Sequence, residues 1–361
     1  MVRASQVVWV RVAAALLLVA ALGVSLGAGV GQGKAHAEPQ SRLTTQLTMP
    51  LDTTTPSSTA ATTTGATVTP LASPILPTIG PDGPPPPAPA LAARSAELYD
   101  MTTSKTMLAL APDVSVPMAS TTKIMTAVVA LTYGRIDQQI TVGADAAAIE
   151  DGGASVAGLR QGETLSLRDL LYCLMLPSGD DAAIAIADGV GGSQASFVAL
   201  MNLEAGLLGL SHTHYANAHG LDAPGHFTSA SDLARLTEYA MTSPTFAQVV
   251  GASSITLPAT ATHHAFTLVN TNELLAGEPF AYEGAIGVKT GFTGSAGYCL
   301  VFMARRPAGV LIGVVLGEPT YNGRFTDATA MLNWAYSQLS PSPTPTATAG
   351  ATQTATATAT P

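Results

Sequence analysis

Charged side chains are scarce in this sequence: 11% of its 361 residues are Asp, Glu, Lys or Arg. The balance is acidic, with a formal net charge of −9, and the chain has no run of basic residues. Proteins that bind nucleic acid, or that grip anionic lipid electrostatically, carry clustered basic side chains. The composition therefore argues against nucleic acid and against an electrostatic membrane surface as partners.

Cysteine is also scarce. Cys173 and Cys299 are the two in the chain, and both stand in apolar runs, which favours two buried free thiols over a disulfide. No spacing of Cys and His resembles a zinc site. The pair His263–His264 has no nearby partner in the sequence and is predicted to lie in a surface loop.

The N-terminus has the pattern of an export signal. Arg3 and Arg11 precede an uncharged apolar run over 12–30, and a small-residue A-x-A pattern ends at Ala37. These features predict a secretory signal peptide over 1–37 that is cleaved after Ala37. The alternative is an uncleaved membrane anchor, since about twenty apolar residues can span a bilayer. Either reading places the rest of the chain outside the cytoplasm, in the cell envelope or beyond.

Two segments lack the periodicity of a folded domain. Residues 38–93 and 340–361 are rich in Thr, Pro, Ser and Ala and have almost no charge. Such segments cannot bury enough apolar surface to fold, so a disordered linker and a disordered tail are predicted. The folded part is then 94–339, as one domain.

The order of apolar patterns within 94–339 predicts the fold class. A hairpin turning at Thr103 and Ser104 comes first, helical patterns fill the middle, and closely spaced strand patterns over 287–317 imply an antiparallel meander. Ser166 and Ser231 are the predicted caps of two helices. An α/β fold follows, with a mostly antiparallel sheet flanked by helices and a helical subdomain.

Ser120 and Lys123 stand at the start of an apolar segment that favours a buried helix. Residues three apart share one helix face, so the hydroxyl and the amine should meet. Burial would lower the pKa of the lysine, and a neutral amine can accept the serine proton. Alone the pair is a weak signal, because a serine near a helix start and a solvated lysine are common.

Two further short motifs add polar side chains. Ser178 and Asp180 lie at a break between two predicted helices, where turn residues are ordinary. Lys289, Thr290 and Gly291 lie on a predicted strand, where an edge lysine would also be ordinary. Lysine and threonine donors can nevertheless hold a carboxylate, and glycine lets a substrate backbone approach closely.

Taken jointly and in this order, the three motifs are those of the penicillin-recognising serine acyl-enzymes. The chain resembles the D-alanyl-D-alanine carboxypeptidases, the low-molecular-mass penicillin-binding proteins, over about 94–339. The stretches that carry this resemblance are 117–123, 174–183, 217–221, 226–234, 272–275 and 287–293.

The resemblance implies a reaction and its catalytic residues. Ser120 would attack the carbonyl between the two terminal D-alanines of a peptidoglycan stem peptide, with Lys123 as general base. Ser178 would relay a proton to the departing amine. β-Lactams, which mimic the dipeptide, would acylate Ser120 as covalent inhibitors. No metal or organic cofactor is implied.

The resemblance also implies the substrate contacts. Lys289 and Thr290, next to Gly291, would bind the terminal carboxylate. The backbone N–H groups of Ser120 and Phe292 would form the oxyanion hole. Contact with a membrane is expected only through an uncleaved N-terminal segment.

One position departs from the family pattern, because Asp180 stands where these enzymes have asparagine. An ionised aspartate accepts hydrogen bonds and cannot donate them. We expect Asp180 to hold Lys123 or Lys289 as an ammonium, which would reduce activity or shift its pH dependence.

Two alternatives stay open from the sequence. A β-lactamase would need a glutamate to activate water, and Glu150 and Glu163 are the acids of that type between the first two motifs. An inactive relative would hold stem peptides at the wall without cutting them, which Asp180 favours.

Overall fold

A five-stranded antiparallel sheet is the main element of the computed structural model, which describes residues 86–149 and 154–339. The strands of this sheet are β1 (Ser95–Asp100), β2 (Lys105–Leu110), β7 (Ala285–Thr293), β8 (Gly297–Arg306) and β9 (Gly309–Glu318). They are ordered β2-β1-β9-β8-β7, so both ends of the domain contribute to the middle of the sheet. Two separate two-stranded sheets pair β3 (Gln139–Thr141) with β4 (Thr164–Ser166), and β5 (Ser254–Leu257) with β6 (Phe266–Val269).

Both faces of the large sheet are buried. Along β8, Val301 and Met303 pack into the larger core cluster, whereas Leu300 and Phe302 pack into the smaller one on the other face. This alternation is the period of two that a strand imposes on its side chains. The unbroken apolar character of 298–304 in the sequence therefore reflects a strand covered on both sides.

Helices cover both faces of this sheet. They are α1 (Lys123–Tyr133), α2 (Ala144–Ala147), α3 (Leu167–Met175), α4 (Asp180–Gly191), α5 (Gln194–Leu207), α6 (Ala230–Ala240), α7 (Pro244–Val250) and α8 (Gly323–Leu339). The apolar side of α8 packs on the smaller cluster, and α1, α3, α4 and α5 form a helical block around the larger one. No single helix within 86–149 and 154–339 is both long enough and apolar enough to cross a bilayer; α4 and α5 meet that test only as a pair, bent by 87°.

Several sequence predictions are confirmed. The hairpin of β1 and β2 and the meander of β7, β8 and β9 are both antiparallel. Ser166 caps α3 by accepting a hydrogen bond from the Asp169 backbone N–H. Cys173 and Cys299 are buried free thiols, and burial raises the pKa of each.

Other predictions were wrong. The cap of α6 is Ser229 rather than Ser231, because the serine side chain that reaches the Asp232 N–H stands two residues earlier. His263 and His264 do lie in a loop as predicted, and the partner of His264 is distant in the chain: its Nδ1 lies 2.6 Å from Glu163 Oε1, 101 residues away. Strand β5 and helix α7 were not anticipated at all.

The described region begins inside the predicted linker. Within residues 86–93, the backbone N–H groups of Ala92 and Ala93 both donate to Asp327 of α8, at 3.0 and 3.1 Å. Ala93 is buried in the smaller core cluster. The predicted signal peptide over 1–37, the linker before residue 86, the tail over 340–361 and Glu150 lie outside the described residues.

A buried carboxylate anchors the segment that leads to the functional residues described below. Asp181, in the first turn of α4, accepts hydrogen bonds from the backbone N–H groups of Ala157, Gly158 and Leu159 at 2.9–3.0 Å. It also accepts one from Ala182 at 2.8 Å. A carboxylate can accept this many bonds because it offers two oxygens with about four lone-pair sites.

Asp181→Asn tests this anchor. The amide has one acceptor oxygen in place of two, so some of the buried backbone N–H groups lose their acceptor. We therefore expect the free energy of unfolding to fall by about 2–4 kcal/mol. Urea denaturation measures the change. Asp137→Asn is the matched control, since that side chain is 84% exposed and should change stability by less than about 0.5 kcal/mol. Equal stabilities for Asp181→Asn and the wild type would contradict the anchoring role.

Candidate active site

Ser120 lies on a tight turn that precedes α1 rather than on the helix itself. A 3-10 turn covers Ala119–Thr122, and the α-helix begins at Lys123. Ala119 has a φ of 49°, an uncommon left-handed conformation for a residue with a Cβ. Thr122 Oγ1 donates to Ala119 O at 2.7 Å and holds the turn in this shape.

The amine of Lys123 is fully buried and has three hydrogen-bond partners. Its Nζ lies 2.8 Å from Ser120 Oγ, 2.5 Å from Asp180 Oδ1 and 2.6 Å from the backbone oxygen of His219. The meeting of Ser120 and Lys123 was predicted from their spacing. Three acceptors match the three N–H donors of an ammonium. A neutral amine would instead donate to Asp180 and His219 and turn its lone pair to the serine hydroxyl.

Two opposed influences set the protonation of Lys123. Burial lowers the pKa of its amine, and the adjacent Asp180 carboxylate opposes this by stabilising the ammonium. The expected contact of Asp180 with one of the two lysines is thus observed at Lys123, but the expected net rise in the pKa of that lysine is not, because burial has the larger effect. The pKa of Lys123 remains below its ordinary value, which favours a proton acceptor.

The His226 ring holds the Ser120 turn through a hydrogen bond to Thr122. Its Nδ1 accepts a hydrogen bond from the Ala216 N–H at 3.0 Å, so the proton lies on Nε2. That Nε2 lies 2.8 Å from Thr122 Oγ1 and donates to it. Burial lowers the pKa of His226 to about 4, which keeps the ring neutral and this direction of donation fixed.

The loop over 217–221 closes one side of the site. Asn217 fixes its shape, because Oδ1 accepts from the Gly220 N–H at 2.7 Å and Nδ2 donates to Leu221 O at 2.9 Å. Gly220 has a φ of 104°, and a Cβ there would lie 2.2 Å from Ala119 O and 2.9 Å from Ser120 N. Only glycine fits this position, which brings the His219 carbonyl to Lys123.

Strand β7 closes the other side. A Cβ on Gly291 would lie 3.1 Å from Ser120 N, so the strand passes directly against the Ser120 turn. Lys289 is buried although β7 is an edge strand, and its Nζ donates to Thr290 O at 3.0 Å. Burial, and next the nearby charge of Lys123, lower the pKa of Lys289 well below its ordinary value. A solvated edge lysine is therefore excluded here.

Arg324 joins this side of the site and was missed in the sequence. It is buried at the start of α8, and its Nη1 donates to Gly291 O at 3.3 Å. The guanidinium stacks over the Tyr321 ring at 4.4 Å. Arginine stays charged in proteins, so Arg324 supplies a permanent positive charge behind β7. No local motif marks it, since it lies 35 positions after Lys289 in an ordinary amphipathic helix.

The remaining predicted residues flank this centre. Ser178 is buried in the turn before α4 with a left-handed φ of 68°. Phe292 exposes its ring, which stacks on Tyr298 at 4.3 Å. Both carboxylate oxygens of Glu163 already have partners: Oε1 accepts a hydrogen bond from the His264 N–H, and Oε2 accepts one from the Arg160 N–H. This engagement argues against Glu163 as the water-activating acid of a β-lactamase.

The fold and the polar side chains around Ser120 define the class of penicillin-recognising serine enzymes. Comparison with known proteins agrees. The crystal structure of the Streptomyces K15 DD-transpeptidase superposes with a TM-score of 0.65 at 36% identity, covering 69% of this chain and 99% of that one.

The chain belongs to the D-alanyl-D-alanine carboxypeptidase family, peptidase family S11, whose profile matches residues 84–320. It is 37% identical over 262 residues to the D-alanyl-D-alanine carboxypeptidase of Streptomyces sp. strain K15, covering 69% of this chain and 89% of the relative. It is 35% identical over 249 residues to D-alanyl-D-alanine carboxypeptidase DacF of Bacillus subtilis, covering 68% of this chain and 62% of that longer relative.

Gly220→Ala tests the close approach of the 217–221 loop to the Ser120 turn. The added methyl group would overlap Ala119 O and force a left-handed residue, so we expect a loss of about 2–4 kcal/mol in unfolding free energy. Thermal and urea unfolding measure it. Gly206→Ala is the matched control: a Cβ there meets nothing within 4 Å, and alanine in a helix should stabilise by up to about 1 kcal/mol. Similar effects of the two substitutions would contradict the steric argument.

Proposed function

We propose that this protein is a serine-type D-Ala-D-Ala carboxypeptidase that removes the terminal D-alanine of peptidoglycan stem peptides through an acyl-enzyme on Ser120. The observation that carries the proposal is the position of Lys123 Nζ, 2.8 Å from Ser120 Oγ and held from two other sides. A buried amine in that place can act as a general base without any histidine.

Acylation follows from these contacts. Neutral Lys123 accepts the hydroxyl proton as Ser120 Oγ attacks the carbonyl of the penultimate D-alanine, and the resulting oxyanion accepts hydrogen bonds from the Ser120 and Phe292 N–H groups. The peptide C–N bond then breaks. The departing D-alanine amine takes a proton, for which Ser178 is the proposed relay. Water attacks the ester in the second half and releases the shortened peptide and free Ser120.

A C-terminal carboxylate would be recognised by two positive charges and a hydroxyl donor, from Lys289, Arg324 and Thr290. The approach of an anion favours the charged form of Lys289, whose pKa is otherwise lowered by burial. Arg324 supplies charge independent of pH, and the Thr290 hydroxyl, 2.5 Å from Thr271 Oγ1, can donate to the ligand. β-Lactams carry an equivalent carboxylate beside a reactive carbonyl, so they would acylate Ser120.

Export to the outer side of the cytoplasmic membrane is part of the same proposal. Its support is the sequence pattern of residues 1–37, together with a substrate that lies outside the cytoplasm. The free thiols of Cys173 and Cys299 are compatible with export because both are buried.

Release of D-alanine from diacetyl-L-lysyl-D-alanyl-D-alanine by the purified protein tests the function. We expect Ser120→Ala to lower the rate by at least about a thousandfold and to abolish covalent labelling by a fluorescent penicillin. Ser115→Ala is the control, an exposed serine five residues earlier whose hydroxyl bonds only weakly to His212 O at 3.4 Å. Absence of both D-alanine release and labelling in the wild type would favour the inactive wall-binding relative. Rapid release of the penicillin would instead indicate a β-lactamase.

Asp180→Asn tests whether the Asp180 carboxylate raises the pKa of the proposed base, Lys123. Removing the carboxylate removes the influence that raises the pKa of Lys123, so the lysine becomes neutral at lower pH. Activity that needs neutral Lys123 rises with pH through that pKa, and we expect the acid limb of kcat/KM to move to lower pH in the variant. The other charged or titratable groups around this site include Asp181, Lys289, Arg324, His219 and His226, and all are unchanged in the variant. Asp137→Asn, which removes one exposed charge, should leave the limb in place; identical profiles for Asp180→Asn and wild type would end the idea.

A further inference from the structure

The proposed function fixes the direction in which a peptide lies along β7, and the present inference rests on it. The terminal carboxylate is held at Lys289 and Thr290, and the carbonyl under attack lies at the Phe292 N–H. The substrate therefore runs antiparallel to the strand, with its earlier residues pointing past Thr293 toward Ser295. The residue that precedes D-Ala-D-Ala must then lie beside this end of β7.

An open pocket of about 320 Å³ lies at that end of β7. It adjoins the site directly: Pro117 stands three residues before Ser120, and His226 bonds to Thr122. Its walls combine apolar and polar side chains. They are Pro117, Asp222, Ala223, Pro224, His226 and Ser295.

Asp222 supplies the charge of this pocket. Its Oδ1 accepts a hydrogen bond from Thr293 Oγ1 at 2.8 Å, which ties the carboxylate to the last residue of β7. Oδ2 receives no hydrogen bond from any residue in the described ranges. Among the lining residues His226 is the other titratable group, and it is neutral because burial lowers its pKa to about 4.

We propose that Asp222 binds an ammonium group at the end of the side chain that precedes D-Ala-D-Ala, so that the preferred substrates are stem peptides with a free diamino-acid side chain at that position. Pro117, Ala223 and Pro224 offer apolar surface for the methylene stem, and the carboxylate receives the charged end. Thr293 sets the position of Asp222 relative to the strand that holds the peptide backbone. Asp222 is thereby a specificity-determining residue of the same site.

The openness of the pocket determines how strong the contact between Asp222 and the substrate ammonium should be. Asp222 is exposed and the pocket is open, so the ion pair is partly screened by solvent. We expect a preference of about two- to fivefold in kcat/KM, the size of a solvent-exposed charge pair in favourable geometry. The preference should shrink as salt is added.

The test compares two peptides of equal length. N-acetyl-L-lysyl-D-alanyl-D-alanine carries the free side-chain amine, and diacetyl-L-lysyl-D-alanyl-D-alanine has the amine blocked. The quantity measured is the ratio of their kcat/KM values, from D-alanine release, for the full-length wild type, Asp222→Asn and Asp137→Asn. Asparagine keeps an acceptor oxygen for Thr293 and removes the charge, and a melting curve with penicillin labelling shows whether each variant is folded.

We expect a ratio of about two to five for the wild type and for Asp137→Asn, and a ratio near one for Asp222→Asn. Asp222→Lys, whose ammonium would repel that of the substrate, should bring the ratio below one. A wild-type ratio near one, or a ratio that Asp222→Asn does not change, would overturn the inference while D-alanine release still supports the proposed function. Failure of the wild type to cut either peptide or to label with penicillin would remove the proposed function and this inference with it.

Discussion

A lysine amine with no exposed surface is the constraint on which the rest of this structure depends. A buried ammonium is costly unless every N–H has an acceptor, and a buried neutral amine still needs partners for two of them. The three partners of Lys123 come from three separate segments: the Ser120 turn, the start of α4 and the 217–221 loop. Each segment is held by further contacts within the protein: Thr122 and His226 hold the turn, Asp181 holds the start of α4, and Asn217 holds the loop.

Two glycines that are distant in the chain allow neighbouring segments to pack closely against the backbone of Ser120. Gly220 and Gly291 both approach the backbone nitrogen of Ser120, and a Cβ would lie 2.9 Å from it on Gly220 and 3.1 Å from it on Gly291. The strained φ of Ala119 is held between them by Thr122 and His226. Strain of this kind persists only where surrounding contacts determine the geometry, and here they leave Ser120 partly exposed while they bury Lys123.

Adjacent aspartates at the start of α4 have different tasks. Asp181 accepts backbone N–H groups of the 157–159 segment and is structural, whereas Asp180 pairs with Lys123 and sets the charge of the base. One residue along a helix rotates the side chain by about 100°, enough to aim the two carboxylates at different neighbours. An asparagine could replace Asp180 in size, but it would not stabilise the ammonium to the same degree. In the proposed reaction, Asp180 therefore raises the pKa of the base, against the larger effect of burial.

Local signals in the sequence were sufficient for the fold class, the hairpin, the meander and the three motifs, because periodicity, capping and turn preferences act over a few residues. The i, i+3 spacing predicted the contact of Ser120 with Lys123, and the two later motifs strengthened that prediction. The cap at Ser229 was a local signal that was misread, since it acts on Asp232 three residues later. Local signals did not reveal Arg324 or the partner of His264, and they could not show that Lys289 is buried on an edge strand. Those facts depend on which distant segments pack together, and burial and charge neighbours are properties of that packing. The sequence by itself determined which chemical groups were available. Only the tertiary structure decided that the Asp180 carboxylate of α4 and the His219 carbonyl of a loop would meet the Lys123 amine. Such long-range contacts depend on how distant segments fill a shared core, and no short run of residues specifies them.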